Sequence, residues 1–190
     1  MKSLLLILAS FLFLLLADNP TIDKIEAKKA FELINKIRQS SSSYSKELHF
    51  STAVIKQMPP LKWNDTLALI AEQKALDMAT KNYFAHVDPK GYGMNYYINK
   101  GGYLLEKDWL KKPKENNFES IASDYESGEL AVKGLIIDEG VPSFGHRYHL
   151  LGHGNWNQSL NDIGIGFARS TTKKGEVRTY ISILIAKHKW

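Results

Sequence analysis

Three of the chain's six histidines, His146, His149 and His153, fall within "HRYHLLGH", inside the run "GVPSFGHRYHLLGHG". Spacings of three and four put side chains along one helix face, as in metal-binding histidine pairs. Gly145, Gly152, Gly154 and Pro142 confine any helix here to one short piece, and a zinc site would need ligands from other segments. The default reading is three solvated or hydrogen-bonded imidazoles. A serine-hydrolase reading would take Ser143 as nucleophile and His146 as its base. However, "VPSFGH" lacks the Gly-x-Ser-x-Gly elbow that exposes a nucleophile at a strand-to-helix turn. Ser143 reads better as the cap of the following turn, accepting from a backbone N–H.

A site usually gathers polar groups from separate segments around one pocket. His86 sits just past a helical segment, flanked by Phe84 and Val87. Glu119 lies in "NFESIA" between Phe118 and Ile121, and Asp138 and Glu139 close an otherwise apolar segment. Each alone has an ordinary explanation as a capping or surface group.

The elements that must position these residues follow from hydrophobic period. Residues Ile22 to Arg38 carry Ile22, Ile25, Ala30, Leu33, Ile34 and Ile37 at helical spacing with charges between, an amphipathic helix. The Ser-rich run up to Pro59 and Pro60 reads as an inserted loop with at most a short helix. A second helix starts with Asn64 or Asp65 as its N-cap, buries Leu67, Ile70, Ala71, Ala75, Met78 and Ala79, and ends near Asn82. It delivers "YFAHVDPKG" as a turn. A less regular stretch rich in Tyr, Gly and Lys follows, of which Tyr92, Tyr96, Tyr97 and Tyr103 could form a contact surface. Leu130 to Asp138 reads as a third helix burying Leu130, Val132, Leu135 and Ile136, stopped by Gly140 and Pro142. Two β-rich runs, "NDIGIGFARS" and "EVRTYISILIAKH", are joined by "TTKKG" as a hairpin. Helices first and a sheet last point to an α+β or three-layer α/β/α domain.

The first residues have a different character. After Met1 and Lys2, the uncharged stretch Leu4 to Leu16 fits a secretory signal peptide better than a membrane span, which needs about 20 residues. Cleavage is expected after Ala17. Leu15 is bulky for the −3 position, so the alternative is retention as a membrane anchor, the one way a membrane enters this reading. Residues 18–190 then form a single domain, long enough to bury its own core. Cysteine is absent, which excludes disulfides and thiolate chemistry. The net charge of +5 comes from scattered lysines with one dense cluster, "KDWLKKPK", read as a solvated loop or an envelope contact. A nucleic-acid role does not fit that scatter.

Six spaced segments, in order, resemble one family: "INKIR", "LKWNDTLALIAEQKALDMA", "YFAHVDPKG", "ESIA", "GHRYHLL" and "DIGIGFA". The chain resembles the CAP superfamily of cysteine-rich secretory proteins, antigen 5 and pathogenesis-related 1 proteins, and within it the cysteine-free bacterial branch. The resemblance implies an α/β/α sandwich, a secreted or cell-envelope location, and a central cleft lined by two histidines and two acids that in some members binds a divalent cation. Carried over, the histidines are His86 and His146 and the first acid is Glu119. The second is Asp138, with adjacent Glu139 as the alternative. A metal set of His86, Glu119, Asp138 and His146 offers N and O donors suited to zinc or a similar ion. "FES" departs from the family's usual Gly-Glu-Asn, and His149 stands where bacterial relatives often have Asn.

The function expected is a ligand-binding or interaction module for a small apolar ligand or an extracellular or envelope partner, with zinc or another divalent cation as the cofactor it could take. The competing expectation is a metal-dependent hydrolase, such as a protease, working in the same cleft.

Overall fold

A computed structural model describes residues 19–187; residues 1–17, read above as a signal peptide, lie outside them. Ten-residue strands β4 (Asp162–Thr171) and β5 (Val177–Ala186) form the central hairpin, turned at Gly175 with φ +83°. In sheet order, β1 (Thr21–Ile22) is followed by β4, β5 and β3 (Glu119–Ser123), while β2 (Lys62–Trp63) pairs in parallel with the start of β4. Among the described residues β3 is therefore a free edge. Ile22 belongs to β1 rather than to the first helix, because its backbone pairs with Ala168 of β4.

Helices cover both faces. On one lies α3 (Asp65–Lys81), capped by Asn64 accepting the Leu67 N–H at 3.0 Å and stopped by Asn82 in the left-handed region at φ 51°. Gly164 and Gly166 let α3 approach closely, since a Cβ at either would run into the helix backbone at Leu67–Ala68 or Ala71–Glu72. On the other face lie α1 (Lys24–Gln39) and α5 (Gly128–Ile137), with the short α6 (Gly145–Leu151) and α7 (Gly154–Gln158). Asp23 caps α1 through the Glu26 N–H, and Glu26 in turn accepts the Gly128 N–H at 2.9 Å, locking α1 to α5. The main core sits between these helices and the sheet, with Ile34, Ile37, Ile136, Leu150, Ile163, Ile165 and Ile183 all buried. This is the α+β sandwich that the helices-then-sheet order implied.

Some sequence expectations change. Ile25 is 69% exposed and Leu130 45%, so the stripes of α1 and α5 turn away from them. The Ser-rich insertion holds the four-residue helix α2 (Ser41–Tyr44) and then buries Leu48, Phe50 and Ile55. Arg38, 2% exposed, fastens it by donating to the carbonyls of Pro59 and Leu150, and burial pulls its pKa down to about 10. The tyrosine-rich stretch forms α4 (Met94–Lys100) and a 3-10 turn (Lys107–Leu110). Tyr92 and Tyr96 stack at 4.3 Å between centroids, but Tyr103 is buried with its hydroxyl on Asp162 and cannot serve a contact surface.

Replacing Gly166 with Ala should force α3 off the sheet and cost roughly 1–3 kcal/mol or more, read as a lower urea midpoint. An unchanged midpoint would show that α3 can move outward without loss.

Candidate functional site

Two histidine–acid pairs stand on opposite faces of β3. Side chains alternate along a strand. Glu119 and Ile121 face α3, where Ile121 packs on Met78 and Tyr180, while Ser120 and Ala122 face the α5 and α6 layer.

On the α3 side, His86 Nδ1 lies 2.9 Å from Glu119 Oε2. The Glu119 side chain is fully buried, and its second oxygen accepts the Ser182 hydroxyl of β5 at 2.8 Å. The loop carrying His86 is held from beneath by Lys74, 5% exposed, whose ammonium donates to the Ala85 carbonyl at 2.7 Å, the His86 carbonyl at 3.1 Å and the Tyr83 hydroxyl. Burial lowers the Lys74 pKa, and the Glu119 charge opposes that shift. Tyr83 passes the contact on by donating to Asp77, and burial with that hydrogen bond pushes its phenol well above the usual range. Asp88 closes the turn after His86, accepting from the Lys90 and Tyr92 N–H groups and the Tyr97 hydroxyl.

On the other side, Asp138 ends α5 in the left-handed region at φ 54°. Its Oδ1 meets His146 Nδ1 at 2.7 Å, and its Oδ2 accepts the His146 and Arg147 N–H groups at 3.0 and 3.3 Å. Asp138 thus caps α6, the role expected of Ser143; Phe144 holds the N-cap position and makes no side-chain bond. Arg147 reaches back, donating to the Ile136 and Ile137 carbonyls, both at 2.6 Å. Anion at a helix start and cation at a helix end each oppose the local dipole.

His149, the remaining histidine of α6 proper, is buried. Its Nδ1 is 2.8 Å from the Ser120 hydroxyl, and its Nε2 has no hydrogen-bond partner among the described residues. Burial pushes its pKa down to about 4, with the Ile185 backbone pulling the other way and the charges of His146 and His86 adding to the depression. His153 packs against the Tyr148 ring, centroids 4.4 Å apart, outside both pairs.

The structure brings His86 to Glu119 and His146 to Asp138, as two pairs. All four carboxylate oxygens are engaged with hydrogen-bond donors, and both Nε2 atoms lack a hydrogen bond to any described residue. Among the described residues, no three His, Asp or Glu side chains converge as a set that could hold a metal ion. Each imidazole is backed by a carboxylate on Nδ1, the usual support of a ligating histidine. Glu139 is exposed and makes no hydrogen bond to a described residue; with Asp138 and His146 it lines a groove of about 580 Å³ beside β3. Sequence reasoning missed Lys74, Ser120 and Ser182. Lys74 had a signal, a lysine on the buried stripe of α3 between Ile70, Ala71, Ala75 and Met78; the serines had none.

Residues 31–184 match the model of the cysteine-rich secretory protein family, CAP. The chain is 30% identical over 134 residues to the uncharacterized protein YkwD of Bacillus subtilis (strain 168), the alignment covering 69% of this chain and 45% of that protein. Its fold is similar to an extracellular protein containing a SCP domain from Bacillus anthracis str. Ames, with TM-score 0.56 at 22% identity over 87% of this chain and 41% of that one. It is also similar to an outer surface protein from Borrelia burgdorferi, with TM-score 0.53 at 19% identity over 89% and 98% of the two chains. The chain spans less than half the length of the two Bacillus proteins.

Two outcomes test these local assignments. Asp138→Ala should cost about 3 kcal/mol in urea unfolding, through the lost cap and the orphaned N–H groups, and Asp138→Asn, which keeps an acceptor and tolerates positive φ, distinctly less. Equal losses would mean that the charge, not the cap, is what matters. For His149, the folded pKa of about 4 lies below the ordinary 6.5, so between those values the unfolded chain binds more protons. That contribution is fully present above pH 6.5 and is lost as pH falls toward 4, by an amount on the order of 3 kcal/mol. His149→Leu should flatten this part of the stability–pH curve; an identical slope would assign it to other groups.

Proposed function

The chain belongs to the cysteine-rich secretory protein family, CAP, and from that premise we propose that it is an exported binding module whose His86–Glu119 and His146–Asp138 pairs form its ligand site. The observation that carries this reading is that each imidazole is fixed at Nδ1 by a buried carboxylate, which leaves Nε2 for a ligand or a divalent cation. Two nitrogen donors leave coordination positions open, so a zinc ion held there would present a Lewis-acid centre to an anionic or carbonyl group. The chain's own residues do the rest. Lys74 and Asp88 set the His86 loop, Asp138 sets His146, and the apolar wall of the neighbouring groove suits an apolar portion of a ligand.

Export is supported by the apolar leader and by relatives described as extracellular or as an outer surface protein. Hydrolysis is the second reading, and one observation favours it: Glu139 is a carboxylate on the groove without a partner among the described residues, free to act as a base. Binding stands ahead because Glu119 and Asp138 are committed to holding imidazoles.

Calorimetric titration of the metal-stripped chain with zinc should show saturable binding that is weaker at acid pH, where protons compete for the imidazole nitrogens, and that is lost in His86→Ala, His146→Ala. Binding that survives the double substitution would place the metal elsewhere. Absence of binding by the folded chain would make both pairs structural and leave the groove as the ligand site.

A further inference from the structure

We propose that the free edge of β3 binds an extended peptide as an added strand, with the adjoining groove taking the peptide's side chains. The proposal rests on strand register and groove shape, not on metal binding, and so goes beyond the reading above.

The register decides which backbone groups are open. In an antiparallel ladder, successive residues point their N–H and C=O groups alternately toward the neighbouring strand and away from it. At one end of β3 the Phe118 carbonyl accepts from the Ile185 N–H, and at the other the Asp124 N–H donates to the Thr179 carbonyl, both at 2.9 Å. Residues 118 and 124 therefore face β5, and with them Ser120 and Ala122. Glu119, Ile121 and Ser123 point their backbone groups outward, where sheet order places no strand of the described residues. The Glu119 carbonyl takes a long contact from Asn116, 3.4 Å, but the Ile121 and Ser123 backbones have no outward hydrogen bond to any described residue. Proteins commonly protect such an edge with Lys, Pro or a bulge. "ESIAS" supplies no Lys or Pro, and its pairing with β5 runs without a bulge from Glu119 to Ser123.

The groove lies where an added strand would run. Its lining comes from both helical layers, with Phe84 from the loop after α3 and Leu130, Gly134 and Ile137 from α5. It also includes Ile121 and Ala122, whose side chains lie on opposite faces of the sheet, so the groove straddles the edge of β3 rather than one face. Phe84 and Leu130 are about half exposed, at 49% and 45%, and would be covered by side chains projecting to either side of a docked strand. Unpaired backbone groups call for another backbone, and apolar walls on both sides call for apolar side chains. Together they describe an extended peptide, apolar on both faces, bound by strand addition.

The test uses the full chain with a chelator present, so that its outcome is separate from that of the zinc titration. The probe is an acetylated, amidated hexapeptide of sequence Lys-Val-Ile-Val-Ile-Thr, with two versions N-methylated on alternate residues. In the free chain the Ile121 and Ser123 amides should exchange with solvent quickly and the Ser120 and Ala122 amides slowly. Saturating peptide should slow exchange at Ile121 and Ser123 by roughly tenfold or more. One N-methylated version should bind like the parent and the other should not. Ser123→Pro, which deletes an outward N–H at an edge position that tolerates proline, should weaken binding about tenfold, and Leu130→Glu on the exposed wall should do the same. Three results would overturn the proposal. The first is no slowing at Ile121 and Ser123 at millimolar peptide. The second is equal binding by both N-methylated versions. The third is protection of both amides in the free chain that rises with protein concentration, which would put a second copy on the edge.

Discussion

One buried carboxylate, that of Asp138, fixes where α5 ends, where α6 begins and how His146 points. A carboxylate with 2% of its side chain exposed must have its oxygens satisfied, and here every donor comes from the segment that carries the histidine. Arg147 in turn donates to the last carbonyls of α5, so the connection is clamped in both directions. The orientation of His146 is thus a property of the helix–helix joint, which leaves its imidazole little freedom.

The opposite layer reaches the same end by other means. Glu119 is anchored from the sheet by Ser182, and His86 is carried by a loop that Lys74 grips through two carbonyls. Lys74 works only because α3 sits close on the sheet, and α3 sits close only because Gly164 and Gly166 leave room. The two pairs are therefore coupled to the packing of two independent helical layers, with β3 as their common reference.

Much of the frame could be read from the chain. The 3.6-residue periods of α1 and α3, the Asn64 and Asn82 caps and the C-terminal hairpin follow from apolar spacing and turn chemistry, whereas His86, Glu119, Asp138 and His146 were singled out together only through the resemblance to the CAP family. β3 escaped because a five-residue strand with four buried residues shows no alternation. The exposure of Leu130 escaped because the α5 segment is apolar on nearly every side, so its period does not say which way it faces. The grouping of these four candidate residues into two separately bonded pairs was not legible at all, since it depends on which oxygen meets which nitrogen. Ser120 and Ser182 belong to the same class, small hydroxyls whose importance arises only from what a distant segment places beside them.

β4 is the strand on which β1, β2 and β5 all pair, and its residues come late in the chain, after every helix. Thr21 finds its partner at Arg169 and Lys62 finds its partner at Asp162. During synthesis the helices therefore emerge with their apolar faces uncovered and cannot close a core until the hairpin follows. The core therefore closes only once this hairpin is in place, with long-range pairing as the step that completes it.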